Sequence, residues 1–221
     1  MRWGMGMPIP IVNPHNITKF LGAYRSMFSK PQYAHFERYV LGLIASEKGG
    51  SNITDINDLY VDRCHQSSLN RFLTRSPWDV EEVNKTRLRV LQHGRRTRSR
   101  RNGYLILDDV LISKTGRCMS GVGLIFSKSE GRSVLGHNFV STHYSDERGQ
   151  YPVDLRMYIK EELAEPMGVE FKTKIEIAID LINSAVDNGV SANTVAFDTW
   201  YFAKELIDAI EREWTGLQGQ R

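Results

Sequence analysis

The sequence has little that would staple, anchor or export the chain. Cysteine is nearly absent: Cys64 and Cys118 are the only two, and neither has a CxxC or CxxH neighbour. A structural zinc site or disulfide framework is therefore not expected, and a reducing, cytoplasmic setting fits best. No apolar run nears the roughly 20 residues of a membrane span; the longest, such as Tyr104–Leu107, last only a few residues. No membrane partner is expected. The opening MRWGMGMPIPIV has one Arg but no sustained apolar stretch, so it does not read as a signal peptide. Internal repeats are missing, and the one biased tract is rich in Arg. The six histidines are scattered, with His137 and His143 on what reads as an edge strand, and none is expected to hold a metal.

What remains is a globular composition, 41% hydrophobic and 25% charged over 221 residues, enough for one large domain or two small ones. The net charge of +3 conceals an asymmetry. Residues 1–103 carry 17 Lys and Arg against 8 Asp and Glu, whereas residues 104–221 carry 12 against 18. The sign changes at His93–Arg101 (HGRRTRSRR). A basic half joined to an acidic one suggests a polyanion partner for the first and a cation site in the second.

Residues 1–101 read as an all-α, basic domain of four or five helices. Phe20, Leu21, Tyr24, Met27 and Phe28 recur at helical spacing, as do Phe36, Tyr39, Val40, Leu43 and Ile44. Lys48–Ser51 (KGGS) stops the second helix, Asn52 or Thr54 caps a third, and Ser67 or Ser68 starts another. Asp79–Gln92 reads as a further helix with Val80, Val83, Leu88 and Leu91 inward, and Trp78 belongs to the same core.

The period changes in residues 102–221. Strand-like runs at Tyr104–Ile112, Met119–Ser127 and Ser133–His143, joined by short turns, suggest an antiparallel meander. Tyr151–Asp154 is extended, and a short helix is expected near Met157–Ala164. Lys172–Asn188 is a strong helix with Ile175, Ile179, Ile182 and Val186 on one face and Gly189 as its stop. Thr194–Phe197 is a short buried strand, and Tyr201–Trp214 a last helix against which Trp200 and Tyr201 pack the sheet. The order β-β-β-α-β-α, an α+β and α/β mixture, resembles the first two-thirds of an RNase H-like fold. Fold alone does not establish function.

The carboxylates carry that part. Asp108 and Asp109 lie near the end of the first strand, and Asp198 directly follows the fourth. In this fold those strands are neighbours, so the carboxylates would meet. Facing carboxylates suppress each other's ionisation unless a divalent cation neutralises them, the electrostatic basis of two-metal phosphoryl transfer. Capping of a turn by Asp109 and of a helix by Asp198 is the plainer alternative.

At these residues a resemblance appears. Leu105–Gly116 (LILDDVLISKTG) resembles the first-aspartate motif of DDE-type insertion-sequence transposases, and Val195–Phe202 (VAFDTWYF) the second. Tyr151–Arg156 (YPVDLR) and the Phe72–Asp79 region are similar to stretches of the same proteins, so the likeness runs over about residues 17–214. It implies that Asp198 is the second catalytic aspartate and metal ligand. It implies that Asp108 is the first, with Asp109 as the alternative, because the motif commonly reads Asp-x-Thr. Val110 stands in the Thr place, a departure. The resemblance further implies Mg²⁺ or Mn²⁺ as cofactor, DNA transposon ends as substrate, and a nucleoid-associated setting.

The third carboxylate of that family is a Glu on a later helix. Only 23 residues follow Asp198, and Glu205, Glu211 and Glu213 come too early. The expectation is a transposase truncated before the last strand and the Glu-bearing helix, and catalytically incomplete. The alternative is a non-catalytic DNA-binding or regulatory fragment that competes with full-length transposase, or joins it or itself in an oligomer. For DNA contact the candidates are Arg95, Arg96, Arg98, Arg100 and Arg101, with Lys114 and Arg117 on the turn beyond the first aspartates.

Overall fold

The computed structural model describes residues 15–46, 52–128 and 130–219. The MRWGMGMPIPIV stretch, the KGGS stop and the last two residues of the WTGLQGQR tail lie outside the described residues. The chain forms two compact units, Met1–Val90 and Leu91–Arg221.

Among its described residues the first unit is all helix: α1 (His15–Leu21), a 3-10 turn (Gly22–Met27), α2 (Lys30–Ala45), α3 (Ile53–Asp58), α4 (Gln66–Arg75) and α5 (Val80–His93), which runs on into the second unit. Tyr24, Phe28, Tyr33, Ile56, Leu69 and Phe72 form its core. Trp78 stacks on Phe72 at 5.8 Å, and its indole N–H donates to the Phe72 carbonyl. Asn52 caps α3 by accepting from the Asp55 amide. The start of α4 differs from expectation: His65, not a serine, is its cap, because the imidazole offers an acceptor to the Ser67 amide. The inward faces of two helices also differ. Leu43, Ile44 and Val80 are exposed, while Tyr33 and Leu41 are buried; Leu88 is buried as expected. In α2 the close contact passes through Gly42, where any Cβ would overlap Ile56, so a count of large apolar residues misplaces the stripe.

The second unit is a mixed five-stranded sheet with helices, made of β1 (Tyr104–Ser113), β2 (Gly123–Ser127), β3 (Arg132–Asp146), β4 (Gly149–Tyr158), α6 (Glu161–Met167), α7 (Lys174–Asp187), β5 (Thr194–Phe197), a 3-10 turn (Thr199–Tyr201) and α8 (Lys204–Gly219). The expected three-strand meander is corrected. β1 pairs antiparallel with β3, not β2, and β5 lies parallel on its other side. β2 has only five residues and pairs with the start of β3, whose 15 residues extend past it to take β4 as well. His137 and His143 therefore sit on a central strand, not an edge. β4 is an additional strand around the YPVDLR stretch. Its register slips between Thr142 and His143, opposite Pro152, an irregularity of the kind that lets a sheet tolerate proline.

Sheet alternation sets two unequal faces. Leu105 and Leu107 on β1 and Val140 and Tyr144 on β3 are buried, and α7 packs against β3, β4 and α8. The buried stripe of α7 is Ile177, Ala178, Leu181, Ile182 and Ala185. Of the expected four, only Ile182 is in it; the buried stripe is offset and takes in the small Ala178 and Ala185 beside Ile177 and Leu181. A Thr173–Glu176 capping box opens the helix, and Gly189, at φ 73°, follows its end. Ile106, Val110 and Ile112 occupy the opposite, exposed face of β1.

Candidate active site

The pairing of β1 with β5 positions the acidic residues. Their parallel register ends at Leu107 opposite Phe197, and Asp108 and Asp198 are the next residue on each strand. Asp198 keeps extended backbone angles, φ −65° and ψ 150°, so the chain has not yet turned away. Adjacent strands lie about 4.8 Å apart, and in-register neighbours lean to the same face. Asp108 and Asp198 are thus the residues that follow the last registered pair, with Asp108 on the face opposite Leu107. The aspartates do not end β1, as the sequence suggested, but sit in its middle, since β1 runs on to Ser113 while β5 stops.

Asp198 also does what the plainer alternative required. Its Oδ1 accepts from the Thr199 hydroxyl at 2.9 Å and the Trp200 amide at 3.4 Å, capping the 3-10 turn. These bonds hold its carboxyl below the usual carboxylate range. Asp108 is exposed, and its Oδ1 accepts from the Asp109 amide at 2.8 Å.

Asp109 turns the other way, to the side of Leu105 and Leu107, and is engaged there. Its Oδ2 accepts from Lys174 Nζ at 2.6 Å and Asn138 Nδ2 at 2.9 Å. Burial pushes the Asp109 carboxyl up, but the two hydrogen bonds and the charges of Lys174 and Lys128 outweigh it, leaving the net shift downward. Lys174 lies over the rings of Trp200 at 5.3 Å and Tyr158 at 5.6 Å. Trp200 is half exposed rather than packed into the core; Tyr201 is fully buried. Burial, and then the charges of Asp109, Asp108 and Asp198, raise the Tyr201 phenol far above its ordinary value. It lies against Asp109 without closing a standard hydrogen bond.

Lys174, Asn138 and Lys128 were not singled out in the sequence, and Tyr201 was read only as packing the last helix. One signal was there for Lys174, a cation at the first position of a helix, where the dipole disfavours positive charge.

The basic candidates fall at both ends of β1. Lys114 and Arg117 follow its far end. At about 3.3 Å per residue, Lys114 is about 20 Å along the chain from Asp108. His93–Arg101 precedes the near end, and its last residue, Arg101, is at most about 23 Å along the chain from Asp108 at the same rise. This run is tied down. The Thr97 hydroxyl donates to the Leu91 carbonyl at 2.7 Å, the Ser99 amide and hydroxyl both donate to Gln92 Oε1 at 2.9 Å, and Ser99 Oγ accepts from the Ser191 amide at 2.9 Å. The Arg100 amide donates to the buried Tyr144 hydroxyl at 2.6 Å, which donates to Asp146 at 2.9 Å. Burial, with Asp146, pushes that phenol up to about 12. Arg95, Arg96, Arg98 and Arg101 are exposed, whereas the Arg100 guanidinium lies 3.7 Å from Glu147.

Among the described residues no group of three or more His, Cys, Asp or Glu is arranged to hold a metal ion. A pair of carboxylates still fits Mg²⁺, which takes one or two of them and completes its octahedron with water and substrate phosphate. No helix of the described residues is long and apolar enough to cross a membrane. A family model described as DDE superfamily endonuclease matches residues 24–214. None of the curated proteins matches the chain.

Proposed function

The chain belongs to the DDE superfamily of endonucleases, and from that membership we propose that it is a transposase-type nuclease acting on DNA at transposon ends. The observation that carries the reading is the step beyond Leu107 and Phe197, where an aspartate follows on each of two adjacent parallel strands. Asp108 and Asp198 would hold Mg²⁺ or Mn²⁺, which when bound activates water and neutralises charge on a phosphoryl oxygen. Asp198 is oriented for this by its own cap, which uses Oδ1. The exposed Arg95, Arg96, Arg98 and Arg101 position the DNA backbone without reading bases. The sheet order in which β1 lies between β3 and β5 supports an RNase H-like core.

A second reading rests on one observation, the lack of a third carboxylate beside Asp108 and Asp198 among the described residues. Residues 1–221 by themselves would then bind DNA ends without processing them, and compete with a transposase that does, or assemble with it.

The test is binding of the purified chain to a transposon-end duplex with and without Mn²⁺. Metal-stimulated binding that is lost in both Asp108→Asn and Asp198→Asn supports the site. Equal stimulation in the wild type and both variants overturns it.

A further inference from the structure

The acidic centre contains a cation of its own. Lys174 opens α7, yet its ammonium reaches across to β1 and contacts Asp109 at 2.6 Å, with the pair mostly shielded: the side chains are 17% and 29% exposed. The ammonium is also enclosed by two ring faces, Trp200 on the turn after Asp198 and Tyr158 at the end of β4. Such an arrangement suits a desolvated cation, since each ring presents its negative face. The helix dipole opposes a cation at this position, so the contact with Asp109 and the rings must outweigh it. Asn138 fills a second lone-pair direction on the same carboxylate oxygen. Asp108, one residue away on the opposite face, has neither partner.

We propose that Lys174 is a built-in counter-cation that keeps Asp109 out of metal coordination, so that β1 offers the divalent ion one carboxylate, Asp108, beside Asp198. The proposal rests on the metal-binding reading above and extends it to a residue that touches no metal. A divalent ion on Asp109 would sit next to the Lys174 ammonium, which two ring faces and Asp109 itself hold in place, and the two like charges would repel at short range in a partly dehydrated site. On Asp108 the ion meets solvent, and the cation whose charge reaches Asp198, Lys128, is itself exposed. Lys174 is thus a positioning residue. It sets which of two adjacent aspartates is a ligand, and through Trp200 it steadies the turn that presents Asp198.

The experiment is a Mn²⁺ titration of the full 221-residue chain, followed by the electron paramagnetic resonance signal of the free ion. Lys174→Gln keeps a hydrogen-bond donor for Asp109 but removes the charge, and Lys174→Arg keeps the charge. The expected results are that Asp109→Asn binds Mn²⁺ within about twofold of wild type, and that Lys174→Gln binds at least threefold more tightly. Adding Asp109→Asn to Lys174→Gln should return the affinity to the wild-type value, and Lys174→Arg should match wild type throughout. Weakening by Asp109→Asn as large as that by Asp108→Asn overturns the proposal, as does unchanged affinity in a folded Lys174→Gln. If Asp108→Asn itself leaves Mn²⁺ binding intact, the metal-binding reading fails, and this proposal with it; thermal unfolding of each variant separates these outcomes from misfolding.

Discussion

Leu107 and Phe197 face each other as the last registered pair of β1 and β5, and an aspartate follows each. Because Asp198 both caps a turn and fronts the site, its two roles are separable by substitution. Asparagine caps nearly as well as aspartate, whereas alanine does not. Asp198→Asn should therefore melt close to wild type and Asp198→Ala lower, while both lose Mn²⁺-stimulated DNA binding. Calorimetry and anisotropy on the same samples check this. A variant that melts normally and still responds to Mn²⁺ would leave Asp198 as a cap alone.

Residues 1–221 alone should not cleave or join DNA at a useful rate. With two carboxylates, a second ion lacks a ligand and the attacking water is poorly held. The measurement is Mg²⁺- or Mn²⁺-dependent nicking of transposon-end DNA by the purified chain. Clear activity that vanishes in Asp198→Ala would mean that another carboxylate completes the site.

Much of this site was legible in the sequence because it is local. Apolar runs of four residues ending in Asp mark strands, and the two motifs mark which strands pair. Legibility stopped where a role depends on a partner far along the chain. Nothing near Asp109 predicts Lys174, 65 residues later, or Asn138, 29 residues later. The same limit explains the strand order. β4 alternates Tyr151, Val153, Leu155 and Met157 with Gln150, Pro152, Asp154 and Arg156, but the proline within it reads against a strand interior, and its pairing with β3 is what makes it one. Helix faces failed for a related reason. Gly42 and the alanines of α7 pack closely by being small, which a search for large apolar residues passes over.

The Asp109–Lys174 pair should appear in acid stability. A carboxylate held below its unfolded value of about 3.9 contributes stability that is present above that pH and lost as pH falls through the lower, folded value. Asp109→Asn should cost about 1.5–3 kcal/mol near neutrality, the range for hydrogen bonds to a charged group. The gap from wild type should narrow below about pH 4 on the same account. Urea unfolding at several pH values measures it. A gap independent of pH would show that Asp109 is not held ionised by its partners.

Tyr144 should be what keeps the arginine run ordered. Tyr144→Phe removes the acceptor for the Arg100 amide and the donor to Asp146, so the Arg100 amide should exchange hydrogen faster. In the wild type the raised phenol favours the protonated, folded form. Its contribution is complete below about pH 10, the unfolded value, and is lost as pH rises toward about 12. The variant should lack that part of the alkaline loss. Unchanged exchange at Arg100 would place the order of the run elsewhere.

That order bears on how the run meets DNA. A flexible basic linker finds phosphates at the expense of its own ordering, whereas a pinned turn presents its guanidinium groups already in place. Arg95, Arg96, Arg98 and Arg101 are exposed, but Arg100 is engaged with Glu147. Replacing the four exposed arginines with alanine should weaken binding to all DNA sequences about equally, because phosphate contacts position without reading bases. It should also flatten the slope of log K against log salt by about 0.9 for each phosphate no longer neutralised. Arg100→Ala alone should change the slope little. Anisotropy titrations of the full chain at several salt concentrations decide the matter. If the four-fold variant keeps the wild-type slope, the run touches no phosphate, and the DNA-binding surface of this protein lies on other residues.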